Sequence, residues 1–286
     1  MSDLLAYLIT GLAIGCSFAL VGSGFVAIHR VTRVVNFAQG TFAVVGGMMA
    51  SSMLGHGLPH GLSEVVGVLL ATLCGLIVGV IAIGKPGTTT LVSLVITLGL
   101  GILAYALEIV AFGDQPTSFR MATGSVTVAG AHILTQYFVV IGAALAVFGA
   151  LGVFFARSYV GKALTACASN PHAARLQGIN PRRMGLLAFA LGGFLGGVAG
   201  ILLTPLQPIS FDSDVALATN GFAAAIFGGL DSPSAALTGG LVLGITEALV
   251  AGYFNASYQT EVALILMLAI MVWRARKRLA VAEEVA

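Results

Sequence analysis

Of the 286 residues, 58% are hydrophobic and only 8% are charged, and the formal net charge is +2. A soluble domain carries about 25% charged residues, so this composition excludes a water-soluble globular protein and indicates an integral membrane protein. The 38 glycines show no three-residue repeat, which excludes collagen, and are typical of closely packed membrane helices.

Apolar runs along the chain predict nine membrane-spanning segments, because about 20 apolar residues cross a bilayer. In chain order they are Leu4–Ile28, Val34–Leu54, Leu62–Gly84, Thr89–Phe112, His132–Ala156, Met184–Thr204, Asp214–Leu230, Ser234–Gly252 and Thr260–Trp273. The expected fold is an all-α polytopic membrane helical bundle of about eight to nine transmembrane segments, built as a single domain over residues 1–286.

The basic residues predict the orientation, because short cytoplasmic loops are enriched in Lys and Arg. With the N-terminus outside and the C-terminus in the cytoplasm, 12 of the 13 Lys and Arg residues face the cytoplasm and only Arg120 lies outside. Residues 157–183 then form a cytoplasmic loop. The expected location is a multi-pass position in the bacterial inner membrane.

Two of the predicted segments are interrupted, one in each half of the chain. The second begins with the amides Asn36 and Gln39, which share one helix face, followed by Gly40. The seventh is short and contains Gly228 and Gly229 near its end. In transporters, interrupted helices at corresponding places in two halves indicate the substrate path. Ordinary kinked helices, with amides that bond neighbouring helices, are the alternative interpretation.

The loop 157–183 contains the signals of a short helix. Asn170 is a favourable N-cap, Pro171 suits the first helical position and Gly178 suits the C-terminal cap, which predicts a helix from Pro171 to Gln177. A compact helix at the cytoplasmic face suits the docking of another protein. The alternative is a solvated surface helix without a partner.

Two acidic residues, Glu108 and Glu247, fall within predicted spans, where a charge is a functional candidate. Glu247 either contributes to a transport path or pairs near the outer interface. The sequence contains no Gly-x-x-x-x-Gly-Lys-[Ser/Thr] phosphate-binding loop, no metal-ligand spacing and no catalytic grouping. We therefore expect no enzyme, no metal and no cofactor, and energy must come from a partner.

Three segments carry a resemblance to a known family. Residues 34–40 (VVNFAQG) are similar to the signature VNFAHG, and residues 170–179 (NPHAARLQGI) are similar to NPEAARLMGI, a form of the EAA-x-x-x-G signature. Residues 223–240 are similar to a third stretch, LGGLGSIPGAVLGG. In this order and spacing, the chain resembles the permease subunits of ABC importers for branched-chain amino acids.

The resemblance implies that the chain translocates branched-chain or related amino acids, driven by separate ATPases. It implies a docking role for the segment Asn170, Pro171, His172, Ala173, Ala174, Arg175 and Gly178, with Ala173, Ala174 and Gly178 in an ATPase groove. The implied partners are a second permease, identical or different, two ATP-binding subunits and an extracytoplasmic solute-binding protein, without nucleic acid. Gln39 and His172 depart from the family pattern, which has His and an acidic residue there.

Two alternatives remain open on the sequence. The permease could carry another small polar solute, such as an amide, urea or a sugar, because the binding protein usually sets specificity. A proton-coupled secondary transporter that uses Glu247 is the other alternative.

Overall fold

The computed structural model describes residues 2–83, 88–128, 130–230, 232–255, 258, 261–262 and 264–272. The helices are α1 (Ser2–Thr32), α2 (Gln39–Gly55), α3 (Leu62–Ile83), α4 (Thr90–Phe112), α5 (Thr135–Arg157), α6 (Tyr159–Ser169), α7 (Pro171–Leu176), α8 (Pro181–Leu203), α9 (Ser213–Phe227) and α10 (Pro233–Tyr253). Residues 264–272 are also helical. The strands β1 (Ser125–Val128) and β2 (Ala131–Leu134) form an antiparallel hairpin.

The predicted membrane helical bundle is confirmed. Within the described residues, six helices are long and apolar enough to cross a membrane, namely α1, α3, α4, α5, α8 and α10. Helices α2 and α9 contain 17 and 15 residues, or about 25 and 22 Å, and a bilayer core is about 30 Å thick. Nine complete crossings therefore stay a prediction. The predicted ends Gly84, Thr260 and Trp273 lie outside the described residues.

The largest boundary difference concerns the second segment, which begins at Gln39 instead of Val34. Arg33 adopts a left-handed φ of 60°, which ends the preceding helix. The Asn36 Oδ1 atom then accepts a hydrogen bond from the Ala38 backbone N–H at 3.2 Å. Such a local side-chain bond competes with helix formation, so residues 33–38 form a non-helical linker.

The α4–α5 connection also differs from the sequence prediction. His132, expected at the start of a transmembrane helix, lies in β2, and α5 begins at Thr135. The hairpin was not predicted from the sequence, in which residues 113–131 are rich in polar residues, glycine and threonine. An isolated pair of bridging bonds between Thr117 and Ile209 joins this connection to the α8–α9 loop.

Close helix packing centres on α1. A Cβ atom added to Gly15 would lie 2.6 Å from the Gly240 backbone oxygen, so α1 and α10 cross with their backbones in contact. Small residues at a crossing allow this approach, which increases van der Waals packing where lipid removes the hydrophobic driving force. Helices α2, α8, α9 and α10 all pack against α1, which is therefore the central helix of the bundle.

The starts of α2 and α9 meet inside the bundle. The Gln39 side chain bonds to Gly192, the midpoint of α8, so α2 begins about halfway along a membrane-length helix. A Cβ atom on Gly40 would overlap the Asp214 backbone oxygen, so α9 begins beside it. Two interrupted helices, one from each half, thus have their N-terminal ends together. This confirms the predicted architecture of interrupted segments.

Candidate transport path and coupling helix

The loop 157–183 folds into two helices, of which only the second was predicted. Helix α6 begins at Tyr159, where the Ser158 hydroxyl accepts a hydrogen bond from the Gly161 N–H at 2.8 Å. Leu164 and Cys167 of α6 are buried. The serine cap was visible in the sequence, but the short apolar run of α6 was interpreted as part of a loop.

Helix α7 begins with the predicted cap. The Asn170 Oδ1 atom accepts hydrogen bonds from the N–H groups of His172 and Ala173, both at 3.0 Å, and Pro171 occupies the first helical position. One side chain thus satisfies two of the N–H groups that a helix start leaves without partners. The predicted helix is confirmed, and it ends at Leu176, one residue early.

A complete Schellman motif ends α7. Gly178 adopts a φ of +80°, its N–H donates to Arg175 at 3.0 Å, and the Ile179 N–H donates to Ala174 at 3.1 Å. These are the two bonds that define the motif, and its left-handed position favours glycine. A Cβ atom there would meet open space, so backbone conformation, not crowding, selects Gly178.

The two sides of α7 differ sharply in exposure. Ala174 is buried, and α7 packs on α6 and α8, so Ala174 faces its own chain and not a partner. His172, Ala173 and Arg175 are exposed. Leu176, which was not selected from the sequence, exposes 77% of its surface.

Arg33 joins this loop to the interrupted segment. Its guanidinium donates a hydrogen bond to the Ala168 carbonyl oxygen, at the C-terminal end of α6, at 3.1 Å. A cation at this end of a helix is also favoured by the helix dipole. The non-helical linker therefore contacts α6 directly and leads, within six residues, to Gln39.

Asn36 and Gln39 form a pair of buried, neighbouring amide side chains. The Gln39 Nε2 atom donates to the Gly192 carbonyl at 2.9 Å, and the Asn36 amide approaches the Gln39 Oε1 atom at 3.5 Å. Both side chains are fully buried. Gly24 leaves the space that the Gln39 side chain occupies. In this conformation the amides brace the starting point of α2, and neither lines a cavity described for this chain.

Gly228 and Gly229 lie in the turn between α9 and α10. A Cβ atom on Gly228 would lie 2.5 Å from the Ala235 backbone carbon, and Gly229 has a φ of +81°. Leu230 follows with a left-handed φ of 59°. The two glycines permit a tight connection between α9 and α10. This connection lies at the C-terminal end of α9, whereas α2 begins beside the N-terminal end of α9.

A cleft of about 440 Å³ lies between α1, α4 and α9, and we call it the apolar chamber. Its walls come from the linker before α2 and from the helical residues 264–272 as well as from these three helices. The lining side chains are mainly aliphatic or aromatic, including Phe25, Phe37, Leu98, Ile102, Val215, Phe222, Leu264 and Met267. Asp214 and Thr219 supply its polar groups. None of the lining residues was singled out from the sequence as a path residue, and the apolar ones look like any other residue of a membrane helix.

Glu247 and Glu108 are both buried, with 5% and 2% of their surfaces exposed. Glu247 lines a second, smaller cavity together with Asn220. Asn220 was not selected from the sequence, although an amide within an apolar helix is a usable signal. Glu108 lines neither this cavity nor the apolar chamber.

Residues 7–273 match the family described as branched-chain amino acid transport system / permease component. The chain belongs to this family. The permease is 28% identical, over 94% of both chains, to the high-affinity branched-chain amino acid transport system permease protein BraD of Pseudomonas aeruginosa. It is 29% identical to a probable branched-chain amino acid transport permease protein LivH of Methanocaldococcus jannaschii, over 91% of this chain and 90% of that one.

Among solved structures, the permease resembles PsaBC from Streptococcus pneumoniae in complex with Fab. The TM-score is 0.52 at 17% identity, over 94% of this chain and 91% of that chain. At this identity the likeness concerns the fold alone. Together with the family match, it supports a multi-pass membrane permease.

Proposed function

We propose that the permease is the membrane subunit of an ABC importer that carries branched-chain or closely related amino acids. The observation that carries this proposal is the apolar chamber beside two helix starts that meet within the bundle. Its volume of about 440 Å³ falls in the range of small-ligand sites, about 300–1,000 Å³. Aliphatic and aromatic walls suit the side chain of leucine, isoleucine or valine.

The polar groups of the chamber suit the other end of an amino acid. The Asp214 carboxylate is available to an ammonium group, and Thr219 lies one turn further along α9. The N-terminal end of α9 carries a partial positive charge that attracts a carboxylate. A sugar would need many hydrogen-bonding side chains, and the mainly apolar walls favour the amino acid.

We assign the open side of the chamber to the second permease subunit. Phe37, Ile102 and Val215 line the chamber and still expose 40%, 65% and 68% of their surfaces. An exposed apolar cleft of this kind, on a chain that needs a continuous path, is completed by a second subunit, identical or different. The path would then run between two permeases.

The coupling surface is the exposed side of α7 with its two caps. It comprises Asn170, Pro171, His172, Ala173, Arg175 and Gly178, and we include Leu176 because its side chain is exposed on the same helix. In this proposal Ala174 holds α7 against its own chain and contributes indirectly. Movement of α7 passes through α6 and Arg33 to the start of α2, because these parts are in direct contact.

The interrupted segments then form the moving part of the path. Asn36, Gln39 and Gly40 control where α2 begins beside α9, while Gly228 and Gly229 permit a short turn at the other end of α9. Glu247 supports α9 from the opposite side. These residues act on the chamber by positioning its walls, and Phe37 and Asp214 contact the substrate.

This assignment includes the partners and the orientation. The N-terminus lies outside, the C-terminus and α7 lie in the cytoplasm, and the location is a bacterial inner membrane. Two ATP-binding subunits dock on α7, and an extracytoplasmic solute-binding protein delivers the amino acid. Within the described residues no group of three or more His, Cys, Asp or Glu side chains suits a metal ion.

Two neighbouring residues of α4 provide the test. Ile102 lines the apolar chamber, whereas Leu103, which is 53% exposed, does not line it. We expect Ile102→Trp to reduce ATP-driven leucine uptake at least about tenfold, which corresponds to about 1.4 kcal/mol, and Leu103→Trp to preserve it. The assay uses proteoliposomes that contain both permeases, the ATPases and the binding protein.

Equal uptake by the two variants would refute the assignment of the chamber. Uptake that persists without ATPases, but stops when a proton gradient is dissipated, would instead support a secondary transporter. Uptake of a sugar in place of leucine would contradict the proposed substrate.

A further inference from the structure

A polar cavity of about 160 Å³ lies on the other side of α9 from the apolar chamber. Helices α1, α8, α9 and α10 enclose it, together with the loop between α8 and α9. Glu247 of α10 and Asn220 of α9 line it, although only 5% and 7% of their surfaces are exposed. Two polar side chains that are more than nine-tenths buried therefore line the same cavity.

Both side chains have oxygen atoms without partners. Among the described residues, neither the Glu247 Oε1 atom nor the Asn220 Oδ1 atom accepts a hydrogen bond. The Asn220 side chain lies within hydrogen-bonding distance of the Glu247 carboxyl group, so the two groups are direct neighbours. A buried polar atom without a partner is costly, and a buried carboxylate is more costly still unless a cation accompanies it. A water molecule could donate to both oxygens, but only a cation also balances the charge of the carboxylate.

We propose that this cavity binds a monovalent metal cation, Na⁺ or K⁺. Among the described residues, Glu247 is the only acidic one that lines the cavity, so one positive charge balances the site. Ca²⁺ takes six to eight oxygen ligands and usually several carboxylates, which this cavity does not offer. Ser213 and Gln207 add neutral oxygen atoms to the wall.

The size of the cavity fits the same ligand. A water molecule takes about 30 Å³ of liquid volume, so the cavity has room for an ion with several waters that complete its coordination shell. The apolar chamber, by contrast, offers an aliphatic molecule a mainly apolar wall. The two cavities differ in lining, which assigns the ion and the amino acid to opposite sides of α9.

The site has a structural consequence for the path. Ser213 and Asn220 face the cation, while Val215 and Thr219 of the same helix face the apolar chamber. A bound ion links α9 to α10 through Glu247. It thereby fixes the chamber wall formed by α9 without contacting the amino acid.

The test measures cation binding to the full-length permease in lipid nanodiscs. We expect saturable binding of ²²Na⁺, or competition for it by K⁺, with about one site per chain. We also expect NaCl or KCl to raise the melting temperature above that in N-methyl-D-glucamine chloride at equal ionic strength. Glu247→Gln should weaken cation binding about tenfold or more, because it removes the charged ligand.

Glu108→Gln is the matched control, because Glu108 is an equally buried acid, also without partners for its carboxyl oxygens within the described residues, outside the cavity. It should retain the binding of the wild type. Asn220→Leu is a second variant that keeps the carboxylate and should also weaken binding. Neither assay needs an ATPase or an amino acid, so the result is independent of the proposed transport function.

Three outcomes would overturn the proposal. The first is equal stability and no ²²Na⁺ binding in all monovalent salts, which would mean that Glu247 is simply protonated. The second is cation binding that survives in Glu247→Gln. The third is stronger stabilisation by CaCl₂ than by NaCl or KCl, which would assign the cavity to a divalent ion.

Discussion

The substitution Asn170→Ala examines whether the order of α7 depends on its cap. The alanine removes an oxygen that accepts two backbone hydrogen bonds at 3.0 Å, and the loss of an N-cap costs about 1 kcal/mol, with a range of about 0.5–2. Helix α7 has six residues, and only Ala174 among them is buried, so little packing opposes the loss. At about 1 kcal/mol, the equilibrium between ordered and open α7 shifts about fivefold.

Asn180→Ala is the matched control, because Asn180 caps α8 in the same way. The Asn180 Oδ1 atom accepts from the N–H groups of Arg182 and Arg183, and a proline again follows the cap. Helix α8, however, has 23 residues and a largely buried face, which hold it in place after the cap is lost. The two variants remove similar bonds from helices with different tertiary support.

Hydrogen exchange followed by mass spectrometry measures the result in the assembled importer. In Asn170→Ala we expect about fivefold faster exchange across residues 172–178, together with reduced ATP-driven uptake at unchanged amounts of protein in the membrane. In Asn180→Ala we expect faster exchange only in the first turn of α8. Unchanged exchange in residues 172–178, or uptake losses of equal size in both variants, would refute the reasoning.

Two further predictions concern the loop 157–183 and its contact with Arg33. Gly178→Arg adds about 1–2 kcal/mol of left-handed backbone strain and a bulky cation, so we expect a folded permease whose ATP hydrolysis is uncoupled from uptake. Gly178→Asn is the control and should retain most uptake, because asparagine tolerates this conformation. Comparable uptake by both variants would contradict the assignment of the cap. Arg33→Gln removes the hydrogen bond to the Ala168 carbonyl, so we expect the amount of amino acid taken up per ATP hydrolysed to fall severalfold. Arg30→Gln is the control and should change this ratio little, because no hydrogen bond is described for Arg30. Equal ratios of uptake to ATP hydrolysis for the two variants in proteoliposomes would exclude transmission through Arg33.

The sequence was most informative where local chemistry decides the structure. Asn170, Pro171 and Gly178 specify the start and the end of α7 through bonds within ten residues, so the helix could be predicted to within one residue. Composition likewise fixed the class of fold, because a chain with so few charges needs lipid as its solvent. Both predictions depend on little beyond the neighbouring residues.

The sequence was least informative where distant segments meet. The partner of Gln39 is a backbone carbonyl 153 positions later, and no periodicity reports such a contact. Leu176 and Ala174 are both apolar, and only the packing of α7 on its neighbours shows that one is exposed and the other buried. The apolar chamber was hidden for the same reason, since Ile102 and Leu103 look alike in sequence.

Gln39 bonds to a residue that is translated much later, which has a consequence for biogenesis. Helix α2 is shorter than a bilayer core and begins with the buried Gln39 amide, whose hydrogen bond to Gly192 cannot form until the middle of α8 has been made. A ribosome that adds about 5–20 residues per second needs on the order of ten seconds to translate the intervening 153 residues. During that interval the Gln39 amide lacks the Gly192 carbonyl that accepts its hydrogen bond in the folded permease.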